Sequence, residues 1–187
     1  MNSSDAYIDM VRMLAKPGSD ICRDLTPEMA HLWHMASALM GESGELYRAV
    51  DRFDRDNMVE EMGDIEFYLE GLRNRLGIDR SETVGFEPYP YPNLYSDLTF
   101  TARMFCTSCD VFDIIKKAAI YNKPLIVGKI IEVLLALECH FHALRREHDI
   151  TWEETIAHNE AKLAKRYAAG KYSDQAAQIR ADKPEGE

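Results

Sequence analysis

Apolar residues recur at helical spacing along most of this chain. The clearest stripe is Met58, Met62, Ile65, Leu69, Leu72 and Leu76, which predicts one buried helical face. Helix signals bracket further segments. Residues 5–15 read as a short helix ending before Lys16-Pro17-Gly18. Thr26-Pro27 opens a longer helix to about Phe53, with Thr26 as N-cap and Pro27 at the first helical position. Asn57-x-x-Glu60 reads as a capping box that starts the helix reaching Leu76. Helices are predicted again over 99–121, 124–148 and 152–169, the last behind a second capping box, Thr151-x-x-Glu154. Between 77 and 97 the periodicity breaks, and Gly85-Phe86-Glu87-Pro88-Tyr89-Pro90-Tyr91-Pro92 predicts a loop. Strand alternation is nearly absent. The fold class is therefore all-α, a bundle of four or more helices. The expected organisation is a single domain over 1–180 and a disordered tail over 181–187.

The pattern also hints at a degenerate tandem repeat of helix pairs. Leu72-Arg73-Asn74-Arg75 resembles Leu144-Arg145-Arg146-Glu147, each near the end of its helix. Counted back from there, Glu42-x-x-Glu45 has a rough counterpart in Asp110-x-x-Asp113. Val133 and Ala136 fall opposite Glu61 and Asp64, so the second half has kept the packing and lost the acids.

Those acids change the picture most. Glu42 and Glu45 lie in Gly41-Glu42-Ser43-Gly44-Glu45-Leu46, and Glu61 and Asp64 in Glu61-Met62-Gly63-Asp64-Ile65. Each pair is three residues apart, so its members share one side of a helix. At about 100° per residue, Glu42 falls inside the arc of Met35, Leu39, Leu46, Ala49 and Phe53, and Glu61 falls beside Met58, Ile65, Tyr68 and Leu72. Inward carboxylates are costly unless compensated. A hard divalent cation compensates them, so the pattern predicts a Mg²⁺ site, with Mn²⁺ as the alternative ion. Glu60, pointing away from the stripe, is accounted for by its cap.

The net charge of −10 argues against a nucleic-acid partner. No apolar run is long enough to span a membrane. Met1-Asn2-Ser3-Ser4-Asp5 is polar with no apolar run behind it, which predicts no secretory leader and a cytoplasmic location. Cys22, Cys106, Cys109 and Cys139 are expected as free thiols. Cys106-x-x-Cys109 has no second pair to complete a zinc site. His31 and His34 are expected in packing or surface roles.

Gly-Glu-x-Gly-Glu-Leu followed a helix later by Glu-x-Gly-Asp-Ile resembles the MazG-like branch of the all-α nucleoside triphosphate pyrophosphohydrolases. Asn159-Glu160-Ala161-Lys162-Leu163-Ala164-Lys165-Arg166-Tyr167, with Gly170-Lys171-Tyr172-Ser173 behind it, resembles that family's C-terminal helix. Ile115-Lys116-Lys117 to Lys123-Pro124-Leu125 is similar to its helix–turn ending in Lys-Pro-Leu. The resemblance implies a helical bundle of that type and Mg²⁺-dependent hydrolysis of (deoxy)nucleoside triphosphates to monophosphate and pyrophosphate. Glu42, Glu45, Glu61 and Asp64 carry over as metal ligands and catalytic residues, with Glu45 the first choice of general base. Asn159, Lys162 and Arg166, which share one helical face, carry over as triphosphate contacts. A homo-oligomer, dimer or tetramer, is implied as well.

The nucleobase stays open. Purine-directed (dGTP/GTP) pool control and a dUTP-specific enzyme of the same superfamily are the two enzymatic readings. A non-catalytic helical interaction module is the third. Tyr89 and Tyr91 read as parts of a packed connector, with stacking on a base as the alternative.

Overall fold

A computed structural model describes residues 3–84 and 97–183. Eight α-helices follow one another among them: α1 (Ser3–Leu14), α2 (Gly18–Asp24), α3 (Pro27–Asp51), α4 (Arg55–Leu76), α5 (Asp97–Tyr121), α6 (Val127–Glu147), α7 (Trp152–Arg166) and α8 (Asp174–Ile179). A single 3₁₀ turn spans Arg80–Glu82, and no strand occurs among the described residues. The all-α expectation holds. The short helices α2 and α8 were not anticipated, and the 85–92 loop with Tyr89 and Tyr91 lies outside the described residues.

Capping chemistry places the helix starts. Thr26 accepts a hydrogen bond from the Met29 amide, with Pro27 at the first turn, as the sequence predicts. At α4 the expectation needs correcting. Asp54, not Asn57, is the N-cap, accepting from the Asn57 amide, so Glu60 is released from any capping role. Gly77 ends α4 in the left-handed region, at φ 67°, where a side chain would be strained.

Helix α3 packs along both α4 and α5, α5 packs along α6, and α7 lies on α4. Their apolar faces meet in one core of residues such as Leu39, Leu46, Met62, Ile65, Leu69, Met104, Ile115, Leu137 and Phe141. Exposed apolar side chains gather on α1, where Tyr7, Met13 and Leu14 face outward.

Helices α4 and α6 are tied by buried ion pairs that cross over. Arg145 donates to Glu66 at 2.7 Å, and Arg73 pairs with Glu138. Glu66 and Arg73 on α4 hold the same positions as Glu138 and Arg145 on α6, so each pair is the image of the other. Both helices end alike. Gly77 and Asp149 have positive φ, and the next residues, Ile78 and Ile150, donate to the Arg73 and Arg145 carbonyls at 3.0 Å. The tandem repeat is therefore present in space.

Its register in α3 and α5 differs by one residue from the sequence reading. Phe53 and Asn122, both at positive φ, end the paired helices. Aligned there, buried Met35 answers to Met104, Leu46 to Ile115 and Ala49 to Ala118. Glu42 and Glu45 then answer to Val111 and Ile114, not to Asp110 and Asp113. Asp113 instead pairs on the surface with Lys116 and Lys117. The turn after α5 is longer than the turn after α3, and that added length hides the register in the sequence.

Candidate active site

The turn between α3 and α4 is short, and the two helices run back antiparallel from it. Glu45 and Glu61 stand at similar distances from that turn, Glu42 and Asp64 further along. Two motifs separated in the chain thus become neighbours across one helix–helix seam. Oxygens of Glu42, Glu45 and Glu61 all lie within 4.8 Å of one another. Glu61 is buried at 6 % exposure, Glu42 is half-buried and Glu45 is exposed. Ser43, buried between the two α3 acids, satisfies its hydroxyl by donating to the Leu39 carbonyl at 2.7 Å.

Such proximity has an electrostatic cost. Burial first, then the Glu42 charge and a hydrogen bond with Glu42, then the Glu45 and Asp64 charges, push Glu61 up to about 8. Burial and the Asp64 charge push Glu42 upward too. Without a compensating cation the cluster keeps a proton that ordinary carboxylates would have lost. Hard oxygen donors that close together, in a cleft open to solvent, fit a hard divalent cation.

Asp64, the fourth predicted ligand, lines the same cleft but has turned toward α7. It accepts from Asn159 Nδ2 at 2.7 Å and from Lys162 Nζ. Lys162 also reaches Glu60 at 3.3 Å. Asn159 and Lys162 are nearly buried, at 7 % and 8 % exposure, so they join α7 to the acid seam. Gly63 makes that contact possible. A Cβ there would stand 2.8 Å from Asn159 Cβ. Gly41 has no such neighbour, and a Cβ on Gly44 would make only ordinary contact with Phe105, at 3.7 Å. The glycine that permits close approach is therefore the one in the second motif.

Arg166 lines the acid cleft, but Asp182 holds it through two hydrogen bonds of 2.6 Å, from Nε and Nη2. This partner keeps the Asp182 carboxyl down at about 2. Residues 181–183, counted as tail in the sequence reading, thus fold back onto α7, while 184–187 lie outside the described residues. Lys183 continues the return and donates to Glu60 at 2.8 Å.

Sequence reasoning did not assign Glu60, Phe67, Tyr68, Tyr167, Arg180 or Lys183 to the cleft, yet all line it. Burial and the neighbouring Glu42 and Asp64 charges push the Tyr68 hydroxyl up to about 12, so it stays protonated and able to donate. Its aromatic periodicity on α4 was legible only as core. His34 meets Tyr68 edge-on, ring centroids 6.1 Å apart, and His31 opens onto a separate cleft beside Trp152.

Among the described residues, no helix is long and apolar enough to cross a membrane. No curated protein and no solved structure matches the chain. The helix pair that carries the acids does have a match: residues 32–78 fit the family model of the MazG nucleotide pyrophosphohydrolase domain, and α3 with α4 is MazG-like in sequence as well as all-α in form.

Proposed function

We propose that this chain hydrolyses nucleoside or deoxynucleoside triphosphates to the monophosphate and pyrophosphate. The observation that carries the reading is the convergence of Glu42, Glu45 and Glu61 within 4.8 Å, on the helices matched by a nucleotide pyrophosphohydrolase domain. Glu42, Glu45, Glu61 and Asp64 would hold Mg²⁺ there. When bound, the ion supplies positive charge against the phosphates and lowers the pKa of water.

The chain's own groups do the rest. Oxygen of the attacking water bonds to the α-phosphorus, the bond to the α–β bridging oxygen breaks, and pyrophosphate leaves. Glu45 is exposed, with Arg48 at 3.4 Å, and takes the proton that the water gives up. Lys162 and Asn159 fix Asp64, which keeps one acid oriented without a search among rotamers. Arg166 lines the cleft with Nε and Nη2 engaged by Asp182, which leaves Nη1 to donate to a phosphate oxygen. Assembly into a homo-oligomer belongs to the same reading, and light scattering measures it.

The test is pyrophosphate release from the eight common NTPs and dNTPs, with Mg²⁺ and with EDTA, on wild type and Glu61→Ala. Release that needs the metal and is lost in the variant is expected, and the preferred nucleotide names the base. Release of orthophosphate alone, or no turnover by folded, Mg²⁺-loaded protein, overturns the reading.

A further inference from the structure

The acid cleft runs into a second recess where four cations outnumber the two acids. Arg48 and Arg52 come from the end of α3, Asn57 from the first turn of α4, and Arg180 and Lys183 from the returning C-terminal segment. The recess measures about 310 Å³ and shares Glu45, Glu61, Arg180 and Lys183 with the acid cleft, while Arg48, Arg52 and Asn57 line the recess beyond it. In a chain of net charge −10, four cations converging on one cavity are a concentrated exception.

The order of residues along α4 gives the combined cleft a direction. Asn57 lies toward the helix start, Glu61 and Asp64 follow, and Phe67 and Tyr68 stand beyond them. On antiparallel α3 the same direction reads Arg52, Arg48, Glu45 and Glu42. One end is therefore cationic, the middle acidic, and the other end aromatic, where Tyr167 joins Phe67 and Tyr68. The returning segment is fastened rather than draped. The Asp182 side chain is 1 % exposed in its bond to Arg166, and Lys183 is anchored on Glu60. Arg180 takes a left-handed φ of 48° at the end of α8 and stays exposed at the recess.

We infer that the cationic recess receives the β and γ phosphates, the half of the substrate that departs as pyrophosphate. This rests on the pyrophosphohydrolase reading and gives it a polarity. The bond to be cut lies over the acids, the nucleoside lies toward Phe67, Tyr68 and Tyr167, and Arg52 and Arg180 close on the leaving group. Guanidinium groups suit it because they donate in pairs to phosphate oxygens. The bland alternative is that these cations merely balance the acids. If they only balanced the acids, removing them would tighten Mg²⁺ binding and leave pyrophosphate binding unchanged, whereas removing a leaving-group site weakens pyrophosphate binding.

Inorganic pyrophosphate is the probe, since it needs no knowledge of the base. Its binding to the full chain in Mg²⁺ is measured by calorimetry for wild type, Arg52→Ala, Arg180→Ala, the double variant and Arg180→Lys, alongside Mg²⁺ binding without pyrophosphate. Each Ala variant is expected to weaken pyrophosphate binding about tenfold, the double variant further, with Arg180→Lys recovering part of the loss. Mg²⁺ affinity is expected to hold or rise, because less positive charge then opposes the ion. Unaltered pyrophosphate affinity in the double variant, or a parallel loss of Mg²⁺ affinity, overturns the recess while the enzymatic reading stands on wild-type binding. A wild type that binds neither Mg²⁺ nor pyrophosphate overturns both.

Discussion

Helices α3 and α4 and helices α5 and α6 are two versions of one hairpin put to different uses. They share apolar positions, the crossed Glu–Arg pairs and the left-handed residue at each helix end. They differ where the first pair carries Glu42, Glu45, Glu61 and Asp64. There the second pair carries Val111, Ile114, Val133 and Ala136, and its Val111 is fully buried. The frame therefore folds without the acids. In the first hairpin Glu42, Glu45 and Glu61 crowd one another at an electrostatic cost, visible in the elevated Glu61, whereas Asp64 also ties α4 to α7. A duplicated frame thus separates what packing requires from what chemistry requires.

The largest way to break the comparison is to cut what the halves share. Arg73→Met leaves Glu138 buried without its guanidinium and is expected to cost about 3–5 kcal/mol in urea unfolding. Adding Glu138→Leu is expected to recover most of that, because no lone charge then stays inside. A single change costing almost nothing would mean that the crossed pairs are ornamental.

Next comes the change that makes the first hairpin like the second. Glu61→Val, the residue of its counterpart, is expected to lower pyrophosphate release at least about a hundredfold. It also has a signature in pH. Glu61 is raised in the folded state, so its contribution to stability is fully present below the ordinary carboxylate range and lost as pH climbs toward about 8. Metal-free wild type should lose Tm across that window. Glu61→Val, or wild type saturated with Mg²⁺, should lose less. Equal slopes in metal-free wild type and Glu61→Val would show that the acids bear no such strain.

The smallest effect sharpens a local difference. Gly63→Ala places a methyl 2.8 Å from Asn159 Cβ and is expected to cost about 1–3 kcal/mol by pushing α7 off α4. Gly41→Ala, with open space around it, should leave stability unchanged or raise it. Thermal melts of the two variants side by side decide between them.

Much of this was legible in the sequence because it is local. The Thr26-Pro27 start, the α4 stripe and the spacing within each acid pair all follow from periods of a few residues. Even the meeting of the two acid motifs is nearly local, since one short turn joins their helices. What escaped depends on distance along the chain. Nothing near Asp64 says that Asn159 and Lys162 will claim it, and nothing near Arg166 says that Asp182 will return to it. Asn57-x-x-Glu60 satisfied a capping pattern, but Asp54 began the helix earlier and freed Glu60 for two lysines. The repeat register slipped because two turns of unequal length cannot be aligned by counting back from the ends of α4 and α6.

The crossed ion pairs also bear on where a functional unit begins and ends. The matched segment, residues 32–78, contains Glu66 and Arg73 but neither Arg145 nor Glu138. Excised alone, it would keep every predicted metal ligand and lose the partners that α6 gives Glu66 and Arg73. The match therefore stops short of the contacts that tie α4 to α6. The half without acids supplies those charges from within the same chain, at fixed stoichiometry and never diluted away.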